Sequence, residues 1–166
     1  MTQADADRLA ELTEQDSRFV FDSFDHATAW RLGTLMVERA LRDKLPIIID
    51  IRRPGVVLFR SALAGVTAEN EVWLNRKART ALRFEASTAL VAARFAAQGV
   101  DVWTAPWFDP TLFAPTGGSI PVRVRGTGVV GAVTVSGLTS NEDHDFVVDA
   151  FDTYIRGGPR APDRQP

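Results

Sequence analysis

Apolar and polar residues follow two spacings along the chain, and these spacings predict alternating helices and strands. Alternation with a period of two over residues 18–24 and 120–124 is typical of half-buried strands. Aliphatic runs over residues 45–51 and 56–61 predict two more strands. The run over residues 129–135 predicts a fifth strand, and because both of its sides are apolar or small, we place it centrally in the sheet.

Apolar residues at helical spacing predict five helices in the remaining segments. The first four cover residues 4–16, 26–44, 67–84 and 87–98, and the last begins at Thr139. The first helix is either a frayed terminal helix or an arm that packs on a neighbour. The residues of the second helix that we expect to face the sheet are Ala27, Trp30, Val37, Ala40 and Leu41.

Capping residues support the predicted starts of two of these helices. Asp25 is suited to cap the second helix, and Thr139 with Glu142 can form a capping box at the last. Gly33 is unfavourable inside a helix, so we expect it to allow a close approach to another backbone. Arg76, Arg79 and Arg83 form a stripe on the third helix that is either a solvated face or an anion site.

Two tight turns indicate how the strands pair. Pro54-Gly55 fits a reverse turn, and Gly126-Thr127-Gly128 can adopt the positive φ values of a short hairpin turn. Each turn makes its flanking strands antiparallel neighbours. The order of elements therefore predicts an α+β fold with a five-stranded, mainly antiparallel sheet and helices on both faces.

Residues 100–116 are rich in aromatic side chains. Residues 100–104 predict a short strand, and residues 105–110 predict an ordered loop. Trp107, Phe108 and Phe113 are too apolar to remain in water, so we expect them to cover a pocket or a subunit contact.

Length and composition indicate one domain. The 166 residues fit a single domain over residues 1–156, followed by a polar tail, residues 157–166, that we expect to be disordered. Basic and acidic residues, 19 against 21, give no reason to expect nucleic-acid or membrane partners. The absence of cysteine excludes disulfides and thiol chemistry. The amino terminus lacks the apolar run of a secretory signal, and we expect a cytoplasmic protein.

Several motifs occur together in an order that resembles a known family. GGSIPVRVRG is followed by GVVGAVTVSGL and EDH, and matches upstream include Ile49-Asp50-Ile51-Arg52 and Asn70, Trp73 and Lys77. This order resembles the haem-degrading-domain family of HbpS-like and GlcG-like proteins. The resemblance implies a profilin-like α/β/α sandwich, homo-oligomers and a pocket that binds haem in some relatives. It does not imply that this chain degrades haem.

One line of side chains on the third helix is a candidate ligand site. Asn70, Trp73 and Lys77 lie at spacings of three and four, so their side chains can meet. An indole face and an ammonium suit a ligand with a flat apolar body and an anionic edge, such as haem. The alternative is subunit packing, with Trp73 as the anchor.

The segment before the fourth strand is a second candidate. Thr116-Gly117-Gly118 could present free backbone amides to an anion, although such a glycine pair is also typical of a simple turn. The family resemblance leads us to expect a histidine where Thr116 stands, and its absence weakens the case for histidine-ligated haem.

Histidine is the remaining residue type that could bind a ligand or act as an acid or base, and the chain has two histidines. Asp143 and His144, which are adjacent in the last helix, are the remaining candidate ligand-binding residues. His144 has either a role in the pocket or a structural hydrogen bond. An acid–base pair of the two is a third reading. His26 starts a helix and is more simply explained by its capping region. No Ser-His-Asp arrangement or metal motif is present in the sequence, so catalytic residues stay unassigned.

These observations lead to two hypotheses for function. The first is an oligomeric small-ligand-binding domain that resembles haem-binding proteins, with haem as a possible cofactor. The alternative is a non-enzymatic, oligomeric protein-interaction module. A pocket lined by the candidate residues would favour the first.

Overall fold

The computed structural model of the protein describes residues 2–157, so the expected disordered tail lies outside the described residues except for Gly157. The helices are α1 (Gln3–Arg18), α2 (His26–Arg42), α3 (Ala68–Phe84), α4 (Thr88–Ala97) and α5 (Ser140–Gly157). The strands are β1 (Val20–Phe21), β2 (Ile48–Arg53), β3 (Val56–Ala62), β4 (Ser119–Val124) and β5 (Gly128–Ser136). Within the described residues, no helix combines the length and the apolar character needed to cross a bilayer.

The five strands form one sheet in the order β1-β4-β5-β2-β3. β1 pairs with β4 in parallel, and the other three pairings are antiparallel. β5 is the central strand, and Gly131 to Ser136 are buried along it. The predicted five-stranded, mainly antiparallel sheet is therefore confirmed.

Helices cover both faces of the sheet, as the α/β/α prediction requires. α2 and α5 pack on one face, where Phe151 and Met36 join the strand residues Ile49 and Val133 in the main apolar core. α3 packs on the other face against β4, β5 and β2. α1 lies on α4, where Leu12 contributes to a second, smaller core.

The capping signals form at the expected places. The Asp25 carboxylate accepts a hydrogen bond from the Thr28 backbone N–H at 2.7 Å. Glu142 accepts from the backbone N–H of Thr139 at 3.0 Å, and Thr139 Oγ1 accepts weakly in return. The start of α5 is thus fixed just after β5, a placement that matters for the cleft described below.

Three predictions about local structure are wrong. β1 has only two residues, Val20 and Phe21, and the chain reaches the capping residue of α2, Asp25, four residues later. Residues 102–104 form a 3₁₀ helix instead of a strand, capped by Asp101. The buried face of α2 is carried by Ala29, Leu32, Met36 and Ala40. Of the five residues predicted to face the sheet, Ala40 is buried and Val37 packs on the core, whereas Ala27 is exposed and Trp30 and Leu41 are 66% and 59% exposed.

Gly33 explains how α2 approaches the sheet. A Cβ atom at this position would overlap the ring of Phe59 on β3. The close approach that we expected is therefore made to a side chain and not to another backbone. The Phe59 ring is also in edge contact with Trp30, with centroids 5.8 Å apart.

Candidate functional site

A cleft of about 330 Å³ lies beside α3, where the chain leaves β5 and begins α5. Its lining includes five of the eight predicted ligand-binding residues, namely Asn70, Trp73, Lys77, Thr116 and Asp143. Its volume is at the lower end of the range for small-molecule sites, which is about 300–1,000 Å³. The fold therefore brings the candidate residues of α3 together with Thr116 and Asp143.

A larger cavity, of about 460 Å³, lies at the opposite end of the sheet and includes His26 and Arg52 in its lining. Arg52 is already bonded there to Asp50 and Asn75. None of the buried side-chain polar atoms that lack a partner in residues 2–157 belongs to the lining of this cavity. The smaller cleft carries the stronger chemical signs of a ligand site.

Lys77 and Asp143 form a buried ion pair in the wall of the cleft. Lys77 Nζ lies 2.7 Å from Asp143 Oδ2 and donates a second hydrogen bond to the carbonyl oxygen of Val135 at 3.2 Å. Asp143 Oδ1 accepts from the backbone N–H of Leu138 at 3.1 Å. The residues are only 4% and 1% exposed. The pair joins α3 to the first turn of α5, where the helix dipole favours a carboxylate.

Burial acts against the charge on both partners. It lowers the pKa of the Lys77 ammonium, an effect that the neighbouring Asp143 carboxylate opposes. It also raises the pKa of Asp143, which the charge of Lys77 opposes in turn. The free-energy gap between the charged pair and the neutral pair is therefore smaller than in water, and a proton can move between the two groups more easily.

The absence of a side chain at Gly118 leaves room for this ion pair. Gly118 has a φ of +121°, and a Cβ atom there would lie 2.9 Å from Lys77 Nζ and 2.8 Å from Asp143 Cβ. The backbone N–H of Gly117 donates to Ser140 Oγ at 2.7 Å. The expectation that Gly117 offers a free amide is therefore wrong, because the first residue of α5 already takes that hydrogen bond.

Thr116 carries a buried polar atom that has no partner. Its Oγ1 is inaccessible to solvent and makes no hydrogen bond within residues 2–157, although Thr116 lines the cleft. Buried hydroxyl groups in folded proteins are normally hydrogen-bonded. Rotation of the Thr116 side chain would bring this hydroxyl into the cleft, where a ligand oxygen or an ordered water would satisfy it.

Asn70 and Trp73 form the α3 side of the cleft. Asn70 Oδ1 accepts a hydrogen bond from the backbone N–H of Thr67 at 2.8 Å, so this residue also closes the start of α3. The Trp73 indole is partly buried, and the guanidinium of Arg76 lies 4.2 Å from its ring centroid. This cation–π contact restrains the indole from the side of α3.

The arginine stripe is not simply a solvated face, because two of its members stack on aromatic rings. Arg76 lies 5.9 Å from the ring centroid of Trp103, in addition to Trp73. Arg83 lies 4.6 Å from the ring centroid of Phe113. These contacts hold the aromatic residues of the 100–116 segment against α3. Trp107, Phe108 and Phe113 do not line the cleft, so the expectation that they cover this pocket is wrong.

His144 faces away from the cleft. Its Nε2 lies 3.0 Å from Gln15 Oε1 on α1, and the residue is 1% exposed. Burial lowers the pKa of His144 to about 4, so the ring is neutral near pH 7. These contacts favour the structural hydrogen bond over a ligand role, and they separate His144 from Asp143, which bonds Lys77.

The sequence did not single out Ser140, which lines the cleft and fixes Gly117. Its position directly after the capping residue Thr139 was the available signal. Within the described part of the chain, no group of three or more histidine, aspartate or glutamate side chains could hold a metal ion.

Comparison with known proteins gives one family and one fold. A family model described as haem degrading protein HbpS-like matches residues 24–152. A UPF0303 protein of Streptomyces coelicolor is 46% identical over 154 residues, which cover 93% of this chain and 98% of that protein. A UPF0303 protein of Streptomyces avermitilis is 42% identical over 147 residues, which cover 89% of this chain and 90% of that protein.

Solved structures show the same architecture. The crystal structure of the Ybr137w protein has a TM-score of 0.81 and 28% identity, with 90% of this chain and 88% of that chain covered. The crystal structure of a PduOC–heme complex has a TM-score of 0.67 and 17% identity, with 80% and 95% covered. At this identity the second similarity shows a shared fold only.

Proposed function

Because the chain belongs to the HbpS-like family of haem-degrading proteins, we propose that it is an oligomeric small-ligand-binding domain. The ligand enters the cleft between Trp73 and the Lys77–Asp143 pair. The observation that carries this proposal is the Thr116 hydroxyl, which is buried without a hydrogen-bond partner in the described residues and belongs to a residue that lines the cleft. A buried hydroxyl without a partner is expected to form a hydrogen bond with a ligand that binds in the cleft.

The polar groups of the cleft indicate what part of the ligand reaches its inner wall. An ammonium has three N–H donors, and Lys77 uses two of them on Asp143 and Val135. Its third donor and the Thr116 hydroxyl suit an acceptor oxygen of a carboxylate or carbonyl. Trp73 offers an apolar surface to the rest of the molecule. A compact molecule with a flat body and an oxygen-bearing edge fits this arrangement.

Haem with a protein ligand to its iron does not fit the cleft. Among the lining residues, all within the described range, there is no histidine, methionine, tyrosine or cysteine. The lysine that is present is bonded to Asp143. His26 and His144 lie elsewhere in the fold. Haem binding at this site would rest on contact with Trp73 and on an oxygen contact at Thr116 and Lys77.

The runner-up function, an oligomeric interaction module without a ligand, is favoured by a different observation. Trp30 on α2 and Val57 on the edge strand β3 are 66% and 48% exposed, and Phe59 packs beside Trp30. Exposed apolar groups next to an unpaired strand edge are a typical contact surface. For either function we expect a homo-oligomer in the cytoplasm.

A binding series tests the two functions against each other. Wild-type protein is titrated with haemin, followed by the Soret band, and with benzoate and pyruvate, followed by calorimetry. Thr116→Val removes the unpartnered hydroxyl, and Thr153→Val makes the same change at an exposed position of α5. Mass in solution is measured by light scattering on the same samples.

Saturable binding of at least one probe that weakens in Thr116→Val and not in Thr153→Val would support the ligand-binding domain. About tenfold weaker binding corresponds to the loss of one hydrogen bond of about 1.4 kcal/mol. Absence of saturable binding by all three probes, from a folded oligomer, would overturn the proposal in favour of the interaction module.

A further inference from the structure

We propose that Lys77 acts as a carbonyl-trapping amine, which forms a reversible Schiff base with a small aldehyde or keto acid bound in the cleft. The inference rests on the proposed function, since it concerns the same cleft. It goes further because it assigns a covalent step and a chemical class of ligand. It is carried by the identity, the position and the partners of the Lys77 side chain.

Lysine is rare in this chain, and its use in the cleft is specific. Lys44 and Lys77 are the only lysines in the sequence. Within the described residues, every other ion pair is made with arginine, including the pair of Arg52 with the buried Asp50. A guanidinium stays charged and cannot act as an amine nucleophile, whereas a buried lysine can lose its proton. The cleft thus contains the one buried primary amine of the described chain.

Two hydrogen bonds hold the Lys77 nitrogen in the wall of the cleft, to the Asp143 carboxylate at 2.7 Å and to the Val135 carbonyl at 3.2 Å. A proton that passes to Asp143 leaves the nitrogen lone pair facing the new Asp143 O–H. Rotation about the Cε–Nζ bond then turns the lone pair towards the cleft and an N–H group back towards Asp143. Gly118 keeps space beside the nitrogen open, since a Cβ atom there would lie 2.9 Å from Nζ.

Asp143 is placed to take the ammonium proton. It is the direct partner of Nζ, and burial lowers the pKa of Lys77 while it raises that of Asp143. Transfer of the proton leaves a neutral amine beside a neutral carboxyl group without separating charge in a buried site. The same carboxyl group can then carry protons during the reaction.

The reaction needs only the protein and the carbonyl compound. The nitrogen lone pair attacks the carbonyl carbon, a C–N bond forms, and the C=O π bond breaks. One proton passes from nitrogen to the oxygen by way of Asp143, and Thr116 can donate a hydrogen bond to the same oxygen. The hydroxyl of this carbinolamine then leaves as water with the second nitrogen proton, and a C=N bond remains. No oxidant or reductant takes part.

Reductive trapping locates the reacting amine. Wild-type protein is incubated with pyruvate, and separately with butyraldehyde, then reduced with sodium cyanoborohydride and analysed by intact mass and peptide mapping. Lys44 is exposed and serves as a control within the same molecule. We expect about ten times more adduct at Lys77 than at Lys44 at neutral pH, because a buried amine is a stronger nucleophile there. Equal labelling of the two lysines, or labelling confined to Lys44 and the terminal amine, would overturn the inference.

One variant and the binding of benzoate by the wild type separate the covalent step from ligand binding. Lys77→Arg keeps a cation for Asp143 and removes the nucleophile, so it is expected to lose trapping, and binding without the covalent step is measured on the wild type with benzoate. Far-UV circular dichroism and a thermal melt confirm that it is folded. If wild-type protein binds benzoate and traps neither carbonyl compound, the inference fails and the proposed function stands. If it binds no probe and traps none, both fail.

Discussion

Lys77 Nζ and Asp143 Oδ2 lie 2.7 Å apart in the interior, on helices that are far apart in the sequence. Their contact joins α3 on one face of the sheet to the start of α5, which continues onto the other face. The carbonyl of Val135, at the end of β5, shares the same ammonium. A single pair therefore connects three elements that form the cleft.

Breaking this pair from one side should be costly. Asp143→Asn leaves a buried ammonium without its anion, and Lys77→Met leaves a buried carboxylate without its cation. We expect each to lower the free energy of unfolding by about 3–5 kcal/mol. The double variant, Lys77→Met with Asp143→Asn, should cost less than the sum because neither charge remains. Urea unfolding of the four proteins gives the coupling energy, and additive losses would mean that the two groups do not interact.

Gly118 should be intolerant of any side chain. Its φ of +121° is strained for other residues, and a Cβ atom would lie 2.6 Å from the Val135 carbonyl oxygen. We expect Gly118→Ala to cost about 3 kcal/mol or more in the free energy of unfolding. Gly126→Ala is the matched control, because Gly126 also has a positive φ, +73°, but has no atom within 4 Å of the added Cβ. Equal losses for the two variants would exclude the contact as the cause.

A second buried carboxylate should also matter for stability. Asp50 is 0% exposed and pairs with Arg52 and Arg60, and Arg60 bonds Glu71 on α3 at 2.6 Å. Asp50→Asn leaves two arginines without their shared anion, and we expect a loss of about 3 kcal/mol. Asp22→Asn removes an exposed pair with Arg125 and should change stability little. Thermal melts rank the two, and similar melting temperatures would contradict this role for Asp50.

Much of the fold could be predicted because its signals are local. The spacing of Asn70, Trp73 and Lys77 places them on one helix face whatever the rest of the chain does. The capping box at Thr139 similarly fixes where α5 starts. The buried face of α2 could not be predicted, because apolar residues occur on several sides of this helix. The side that packs on the sheet depends on the contact between Gly33 and the ring of Phe59, which belongs to a different element.

The chemistry of the site was predictable only in part. Lys77 and Asp143 were each predicted as candidate residues, but their pairing was not. The pairing depends on how α5 is placed relative to the end of β5, and no local sequence pattern predicts that placement. Asp143 and His144 are adjacent in sequence, yet successive helical residues point in directions about 100° apart. One therefore faces the cleft and the other faces Gln15, and only the docking of α1 decides this.

His144 should make the protein less stable in mild acid. Its pKa is about 4 in the folded state and 6.5 ordinarily, so the unfolded chain binds the proton more readily. The contribution of His144 is complete above pH 6.5 and is lost progressively as the pH falls from 6.5 to 4. The total loss is about 3 kcal/mol. Protonation of the buried Asp16 and Asp143, whose pKa values are raised by burial, acts in the opposite direction.

A comparison of variants isolates this effect. Urea unfolding is measured between pH 7 and pH 4.5 for the wild type, for His144→Gln and for His26→Gln, which removes an exposed histidine. His144→Gln keeps a polar group beside Gln15 but has no proton to gain, so its stability should fall less steeply with acid than that of the other two proteins. The carboxylates are common to all three and cancel in the differences. Parallel curves for wild type and His144→Gln would show that the ring does not resist protonation, and that the contact with Gln15 is not the buried, neutral hydrogen bond described above.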